Sequence, residues 1–265
     1  MNDFNKIKIP LKIDDTDLNV SMISRNGKRD PILFLHGFGS TKEDYADITR
    51  QEQLDDFPFI AYDAPGCGDT YCSNLKKVSI PFLLQTAFKI LEYNDINRFH
   101  LVGHSMGGLT GLILADRLPE RVLSFTNIEG NIAPEDCFLS RQIIEFPASN
   151  AREFFDKFIE RTLHAPAYSS PLYSASLTHK VRAEAVHGIF SSMVHLSDNG
   201  ELMDKFLNLP CPKMFMYGDE NRHLSYLEFI ESKGVRLSEI PECGHFPMYS
   251  NPPFMWRELT DFIND

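Results

Sequence analysis

The sequence predicts an α/β fold with a mostly parallel central sheet, and three observations lead there. Short apolar runs are continuous rather than alternating: Ile32 to Leu35, Phe57 to Tyr62, Phe99 to Val102, Val122 to Ile128 and Met214 to Tyr217. Strands buried on both faces read this way, whereas a half-exposed strand alternates apolar with polar residues. Helical patterns alternate with these runs: Ile80 to Tyr93 with Pro81 in its first turn, Gly107 to Leu118 stopped by Pro119, Ser225 to Ser232, and Pro252 to Phe262. Right-handed crossovers between parallel strands then set helices on both faces of the sheet.

The remaining elements follow in order. Ile7 to Ile13 and Leu18 to Ile23 do alternate, and predict two antiparallel edge strands that end at a turn around Asn26-Gly27. Arg236 to Ile240 reads as the last strand. Between Gly130 and Pro212 no strand is predicted. Four helical patterns fill the interval, Glu135 to Phe146, Ala151 to His164, Ser174 to Leu196 and Glu201 to Leu207, punctuated by Pro147, Pro166, Pro171 and Pro210. Such a stretch is too long for a plain connection. It predicts a helical cap over residues 131–210, inserted after the sixth strand, Val122 to Ile128, into a core made of residues 1–130 and 211–265. Ligands of open α/β sheets sit beyond the carboxyl ends of the strands, where this insertion would hang.

Composition narrows the function. The 265 residues are 43% hydrophobic and 24% charged, an ordinary globular balance that argues against disorder and coiled coil. The net charge is −11, from 26 basic and 37 acidic residues, with no concentrated basic patch. Such a surface repels phosphate backbones and anionic lipid, so neither nucleic acid nor membrane is an expected partner. The N-terminal residues lack the apolar stretch of a secretory signal, and no run is long enough to span a bilayer. Five cysteines at wide spacings, without a Cys-x-x-Cys pair, fit free thiols in a reducing cytoplasm better than disulfides or zinc.

One motif carries chemistry. Leu101-Val102-Gly103-His104-Ser105-Met106-Gly107-Gly108 is strand, sharp turn, helix, and contains Gly-x-Ser-x-Gly in the context that motif requires. The turn lifts the Ser105 hydroxyl above the sheet, and the glycines leave room for it. The helix that starts after Ser105 aims backbone N–H groups at developing negative charge. A serine hydroxyl needs a base to take its proton. Of the nine histidines, His245 follows the last predicted strand in a Gly-His-Phe-Pro turn. His104 adjoins the serine and points away from it, so it reads as packing. His36 reads as structural, and His164, His179, His187 and His195 as surface or packing residues of the cap. His100 and His223 read as loop or edge residues.

Four landmarks in order make the chain resemble the α/β-hydrolases, in particular the cap-bearing esterase, lactonase and dehalogenase-like group. They are His36-Gly37-Phe38-Gly39, Asp63-Ala64-Pro65-Gly66-Cys67-Gly68, the Ser105 turn, and Gly244-His245-Phe246-Pro247. The resemblance covers nearly the whole chain apart from the cap. It implies Ser105 as nucleophile and His245 as general base. It implies the N–H groups of Phe38 and Met106 as the oxyanion hole, a small acyl compound as substrate, and no cofactor or metal. The Asp63 to Gly68 segment reads as a structural turn, since it lacks the Lys and Ser/Thr of a phosphate loop. Cys243 reads as a small buried residue.

The orienting acid departs from the commoner pattern. Many relatives carry it after the seventh strand, where this chain has Gly218-Asp219-Glu220-Asn221 with Asn221 in the expected slot. A subgroup of haloalkane dehalogenases, and luciferases similar to them, carries it after the sixth strand, where Glu129 stands 24 residues beyond Ser105. Glu129 is therefore the expected acid, with Asp219 and Glu220 as the alternative. The expected activity is hydrolysis of a carboxylic ester, lactone or related acyl compound. Acyl transfer, peptidase or carbon–carbon hydrolase chemistry on the same residues remains open. So does a non-catalytic ligand-binding module of the same fold. Phe154, Phe155, Phe158 and Ile159 form an apolar stripe that could pack the cap or wall an acyl site.

Overall fold

The computed structural model describes residues 4–144, 151–166 and 170–265. Two long strands open the chain, β1 (Asn5–Ile13) and β2 (Thr16–Arg25), paired antiparallel throughout. β3 (Ile32–Leu35) and β4 (Phe59–Tyr62) follow, each buried along its whole length. A two-residue strand, β5 (Tyr71–Cys72), pairs with the start of β2. It is too short to leave a periodic signal in the sequence. Helix α1 (Ile80–Tyr93), β6 (Phe99–His104), α2 (Met106–Arg117) and β7 (Val122–Ile128) complete the first half.

The second half opens with the inserted helices α3 (Phe138–Ile144), α4 (Ala151–Leu163), α5 (Ser170–Lys180), α6 (Ala183–Asn199) and α7 (Leu202–Asn208). The core resumes with β8 (Lys213–Gly218), α8 (Leu227–Ser232), β9 (Arg236–Ile240), the short α9 (Pro247–Ser250) and α10 (Pro252–Asn264). The sheet order is β1-β2-β4-β3-β6-β7-β8-β9, with β5 beside β2. All pairings from β4 to β9 are parallel. This is the expected architecture. The continuous apolar runs are the parallel strands, because both of their faces are covered.

Three expectations are corrected. The single helix predicted from Ser174 to Leu196 is two helices, α5 and α6, broken at Val181-Arg182. There the chain leaves the helix to pair with the Asp63 to Gly68 turn. Gly68 N–H donates to the Lys180 carbonyl at 2.8 Å, and Arg182 N–H to the Gly66 carbonyl at 2.9 Å. Side-chain periodicity runs through the break because it records burial, not the backbone's choice of partner. His100, expected in a loop or at an edge, lies inside β6 between β3 and β7, with Nδ1 2.8 Å from Ser124 Oγ. Burial pushes its pKa down to about 4. The predicted Glu135 to Phe146 helix is a short 3-10 turn followed by α3. Its last two residues, and Pro147, lie outside the described residues.

The insertion is not uniform. α7 packs into the sheet layer, with Phe206 against Phe125 and Phe215 at ring distances of 6.0 and 6.4 Å. It serves as the crossover helix between β7 and β8. α4, α5 and α6 instead reach over the carboxyl ends of the strands, where Phe158 and Phe190 pack on Phe38.

The Asp63 turn is held by a buried ion pair. Lys42 Nζ lies 2.8 Å from Asp63 Oδ2, and the two side chains are 4% and 0% exposed. Lys42 N–H and Asp69 N–H also donate to the Asp63 carboxylate. A buried charge that loses its partner keeps its desolvation cost. Lys42→Met should therefore destabilise the fold by about 3–5 kcal/mol, read as a lower urea midpoint at unchanged slope.

Candidate active site

Five neighbouring parallel strands, β3, β6, β7, β8 and β9, each deliver one piece of the site at their carboxyl ends. In sheet order the pieces are Phe38, Ser105, Glu129, the Gly218 to Asn221 turn, and His245. Residues far apart in sequence meet because a parallel sheet aligns the same end of every strand.

Ser105 is the first turn of this kind. Its φ of 50° and ψ of −117° are unusual for a residue with a side chain. Such backbone costs on the order of 1–3 kcal/mol and persists only where its surroundings hold it. Here Ser105 N–H donates to the Ile128 carbonyl at 2.9 Å, and Leu109 N–H returns to the Ser105 carbonyl. Gly107 packs so closely under β3 that a Cβ there would lie 2.1 Å from the Leu35 carbonyl oxygen. The motif's second glycine is therefore required by the neighbouring strand as well as by the turn. Ser105 itself is half-buried.

Glu129 occupies a second strained turn, with φ of 47°. The buried Asn127 side chain clamps it: Gly130 N–H donates to Asn127 Oδ1 at 2.7 Å. Glu129 N–H extends the ladder to the Met216 carbonyl. The carboxylate is 6% exposed and its oxygens are well supplied with donors. Oε1 accepts from Gly218 N–H at 2.7 Å and from Asn221 Nδ2 at 3.0 Å. Oε2 accepts from the same amide at 2.8 Å and lies 2.7 Å from His245 Nδ1. A carboxylate can only accept, so His245 Nδ1 carries the proton and Nε2 is free to act as a base.

The alternative acids stand elsewhere. Asp219 accepts from Glu242 N–H and Cys243 N–H, both at 3.0 Å. These bonds, with the Arg222 guanidinium nearby, hold its carboxyl below the usual range. It braces the loop that carries His245 without touching the imidazole. Glu220 is exposed, and its backbone N–H donates to the Cys243 carbonyl. Asn221, in the slot where the acid was first sought, is the donor that both Glu129 oxygens use.

His104 is fully buried, with Nε2 2.8 Å from the His245 carbonyl. The acceptor is a carbonyl, so Nε2 carries the proton, and Nδ1 has no partner among the described residues. Burial, and next the charge of His245, push His104 well below the ordinary histidine range. It therefore stays neutral and pins the backbone of His245. Cys243 is buried too. Burial and the Glu129 charge push its thiol up to about 12, so it remains a thiol.

Of the two expected oxyanion residues, Met106 follows Ser105 in the chain, and Phe38 follows Gly37, where a Cβ would lie 3.2 Å from Ser105 Cβ. Phe38 and Met106 are 5% and 1% exposed, and neither N–H donates to an acceptor among the described residues. No hydrogen bond joins Ser105 Oγ to the His245 ring within those residues. Contacts of this type are often long until substrate binds. The cover over Phe38 is aromatic: Phe190 at 4.6 Å, Phe158 at 6.2 Å, and Tyr173 with its hydroxyl on the Phe38 carbonyl. No described helix is long and apolar enough to cross a membrane.

A strained serine between a parallel strand and a helix thus stands at the same sheet edge as a Glu–His pair whose carboxylate is buried. A family model described as the alpha/beta hydrolase family matches residues 32–257, and the chain belongs to that family. A carboxylesterase structure from Nitrososphaera gargenis superimposes with a TM-score of 0.78 at 15% identity, covering 97% of this chain and 98% of that one. The N-acyl homoserine lactonase AidH, complexed with N-hexanoyl homoserine, superimposes with a TM-score of 0.74 at 17% identity, covering 98% and 97%. Both likenesses establish a shared fold. A dihydrolipoyllysine-residue acetyltransferase component of the acetoin cleaving system from Pseudomonas putida is 33% identical over 98 residues, which are 37% of this chain and 26% of the relative. The chain spans about a quarter to a third of the length of the first curated relatives it matches.

Two measurements check this geometry. Asn221→Asp sets a second carboxylate against Glu129. Two such groups cannot both ionise, so the acidic limb of the kcat/KM profile should move to higher pH. Asp136, whose carboxylate accepts from Ile132 N–H, Ala133 N–H and the Tyr226 hydroxyl, secures the chain just after Glu129. Burial raises its pKa from 3.8 to about 6. The folded value lies above the unfolded one, so its contribution to stability is full below pH 3.8 and is lost as pH rises through about 6. Asp136→Asn should remove that decline, so thermal melts of variant and wild type should diverge progressively across this pH window.

Proposed function

We propose that the protein is a serine hydrolase of uncharged carboxylic esters or lactones, acting through an acyl-enzyme. The observation that carries this reading is the 2.7 Å contact between His245 Nδ1 and the buried Glu129 carboxylate, at the sheet edge that also presents Ser105. In this reading Ser105 Oγ attacks the acyl carbonyl carbon while its proton passes to His245 Nε2. The carbonyl π pair moves onto oxygen, which accepts from the Phe38 and Met106 N–H groups. Glu129 keeps the imidazole in the required tautomer and balances the charge of the imidazolium. The intermediate collapses, and the leaving alkoxide takes the proton from His245. Water then repeats the sequence on the acyl-enzyme and releases the acid.

The aromatic cover over Phe38 supports an apolar acyl group, and the helices over residues 131–210 are proposed as a cap around it. The lactonase and carboxylesterase folds named above fit the same substrate class.

Hydrolysis of a chain-length series of p-nitrophenyl esters tests the proposal. Ser105→Ala should lower kcat by about 10⁴-fold or more, and Glu129→Gln by about 10³-fold. Asp219→Asn should keep a turnover close to wild type per folded molecule. If Glu129→Gln keeps its turnover while Asp219→Asn loses it, the acid is assigned to the wrong strand end.

A further inference from the structure

Phe38 carries one of the two proposed oxyanion donors, so the groups that hold its flanking peptides decide where that N–H points. The Gly37–Phe38 peptide is held from the core. Its carbonyl accepts from Ser40 N–H at 3.1 Å and lies 2.8 Å from His36 Nδ1. His36 Nε2 accepts from Ala64 N–H at 2.9 Å, so Nδ1 carries the proton and donates. The N–H of this trans peptide points the opposite way from its carbonyl.

The Phe38–Gly39 peptide is held from the insertion. The Tyr173 hydroxyl, on α5, donates to the Phe38 carbonyl at 2.9 Å. Its ring lies on Gly39, whose φ is +76°, and a Cβ there would stand 2.3 Å from a Tyr173 ring carbon. The same ring packs against Phe246, the neighbour of His245, at 4.3 Å. One side chain of the insertion thus touches the loop of the oxyanion donor and the loop of the base. Burial holds the Tyr173 phenol well above its ordinary pKa, so it remains a donor.

We propose that Tyr173 is a positioning residue that couples the seating of the inserted helices to the assembly of the oxyanion donors. The proposal rests on the serine-hydrolase reading above. Without the hydroxyl, the buried Phe38 carbonyl has lost its donor, and glycine's wide conformational freedom at position 39 lets the peptide turn. A displaced donor hurts most where charge develops, so the loss falls on the chemical step rather than on binding.

The test is labelling of Ser105 by an alkyl fluorophosphonate, followed by mass spectrometry. In that reaction Ser105 Oγ forms a P–O bond as its proton passes to His245 Nε2, fluoride leaves with the electrons of the P–F bond, and negative charge grows on the phosphoryl oxygen. Tyr173→Phe keeps the ring and should lower the maximal labelling rate by about 10- to 100-fold, with half-saturation within about threefold of wild type. Leu177→Val, which trims another α5 side chain packed on Gly39, should label at the wild-type rate. Wild-type labelling of Ser105 with an equal rate in Tyr173→Phe overturns the positioning role alone. Equal slowing in both variants also overturns it, because packing of α5 then accounts for the effect. Failure of wild type to label overturns the serine-hydrolase reading and this inference with it.

Discussion

The Glu129 carboxylate is the point on which the site depends. A charge that is 6% exposed must be fully partnered, or the folded state carries several kcal/mol of unmet desolvation. Its partners come from three other places in the sheet edge: the Gly218 N–H at the end of β8, the Asn221 amide beyond it, and the imidazole after β9. The same bonds that satisfy the charge join the ends of β7, β8 and β9. Position, tautomer and electrostatic support for His245 follow from one buried group.

Around this centre the protein holds strain by redundancy. Ser105 and Glu129 both sit at positive φ, on adjacent strands, and each is tied by a backbone bond to the next strand in order: Ser105 to Ile128, Glu129 to Met216. Side chains add to this, Asn127 on the Glu129 turn and His104 on the backbone of His245. The Asp219 carboxylate does the same for the loop before His245. Several polar residues near the site therefore act on backbone rather than on reacting atoms. That is why a candidate acid close in sequence, Asp219, is remote in role.

The insertion belongs to the same mechanical system. Its helices meet the core through the Asp63 to Gly68 turn, itself held by the buried Lys42–Asp63 pair, and through Phe38. Lys180, at the end of α5, donates to Tyr249, whose hydroxyl donates to Asp44. Aromatic packing sets the depth of the helices over the strand ends, and these few polar contacts set their register. A shift of α5 would be felt at both Gly39 and Phe246 because Tyr173 lies between them.

Much of this was legible in the residues. Burial on both faces writes continuous apolar runs, so the parallel strands could be read with nearly correct ends, as Ile32 to Leu35 and Val122 to Ile128 show. Ser105 and His245 could be picked out because their local turns demand particular glycines and a preceding strand. The break between α5 and α6 could not, since the helical pattern runs through it, and β5 was too short to leave one. Tyr173 and the bracing role of Asp219 were also out of reach. Each acts through a partner 23 to 135 residues away in sequence, and no local pattern encodes such a distance. The sequence by itself determined which elements form and which groups can react. The order in which the strands lie side by side decided which groups meet, because only that order brings the end of β7 against the ends of β8 and β9.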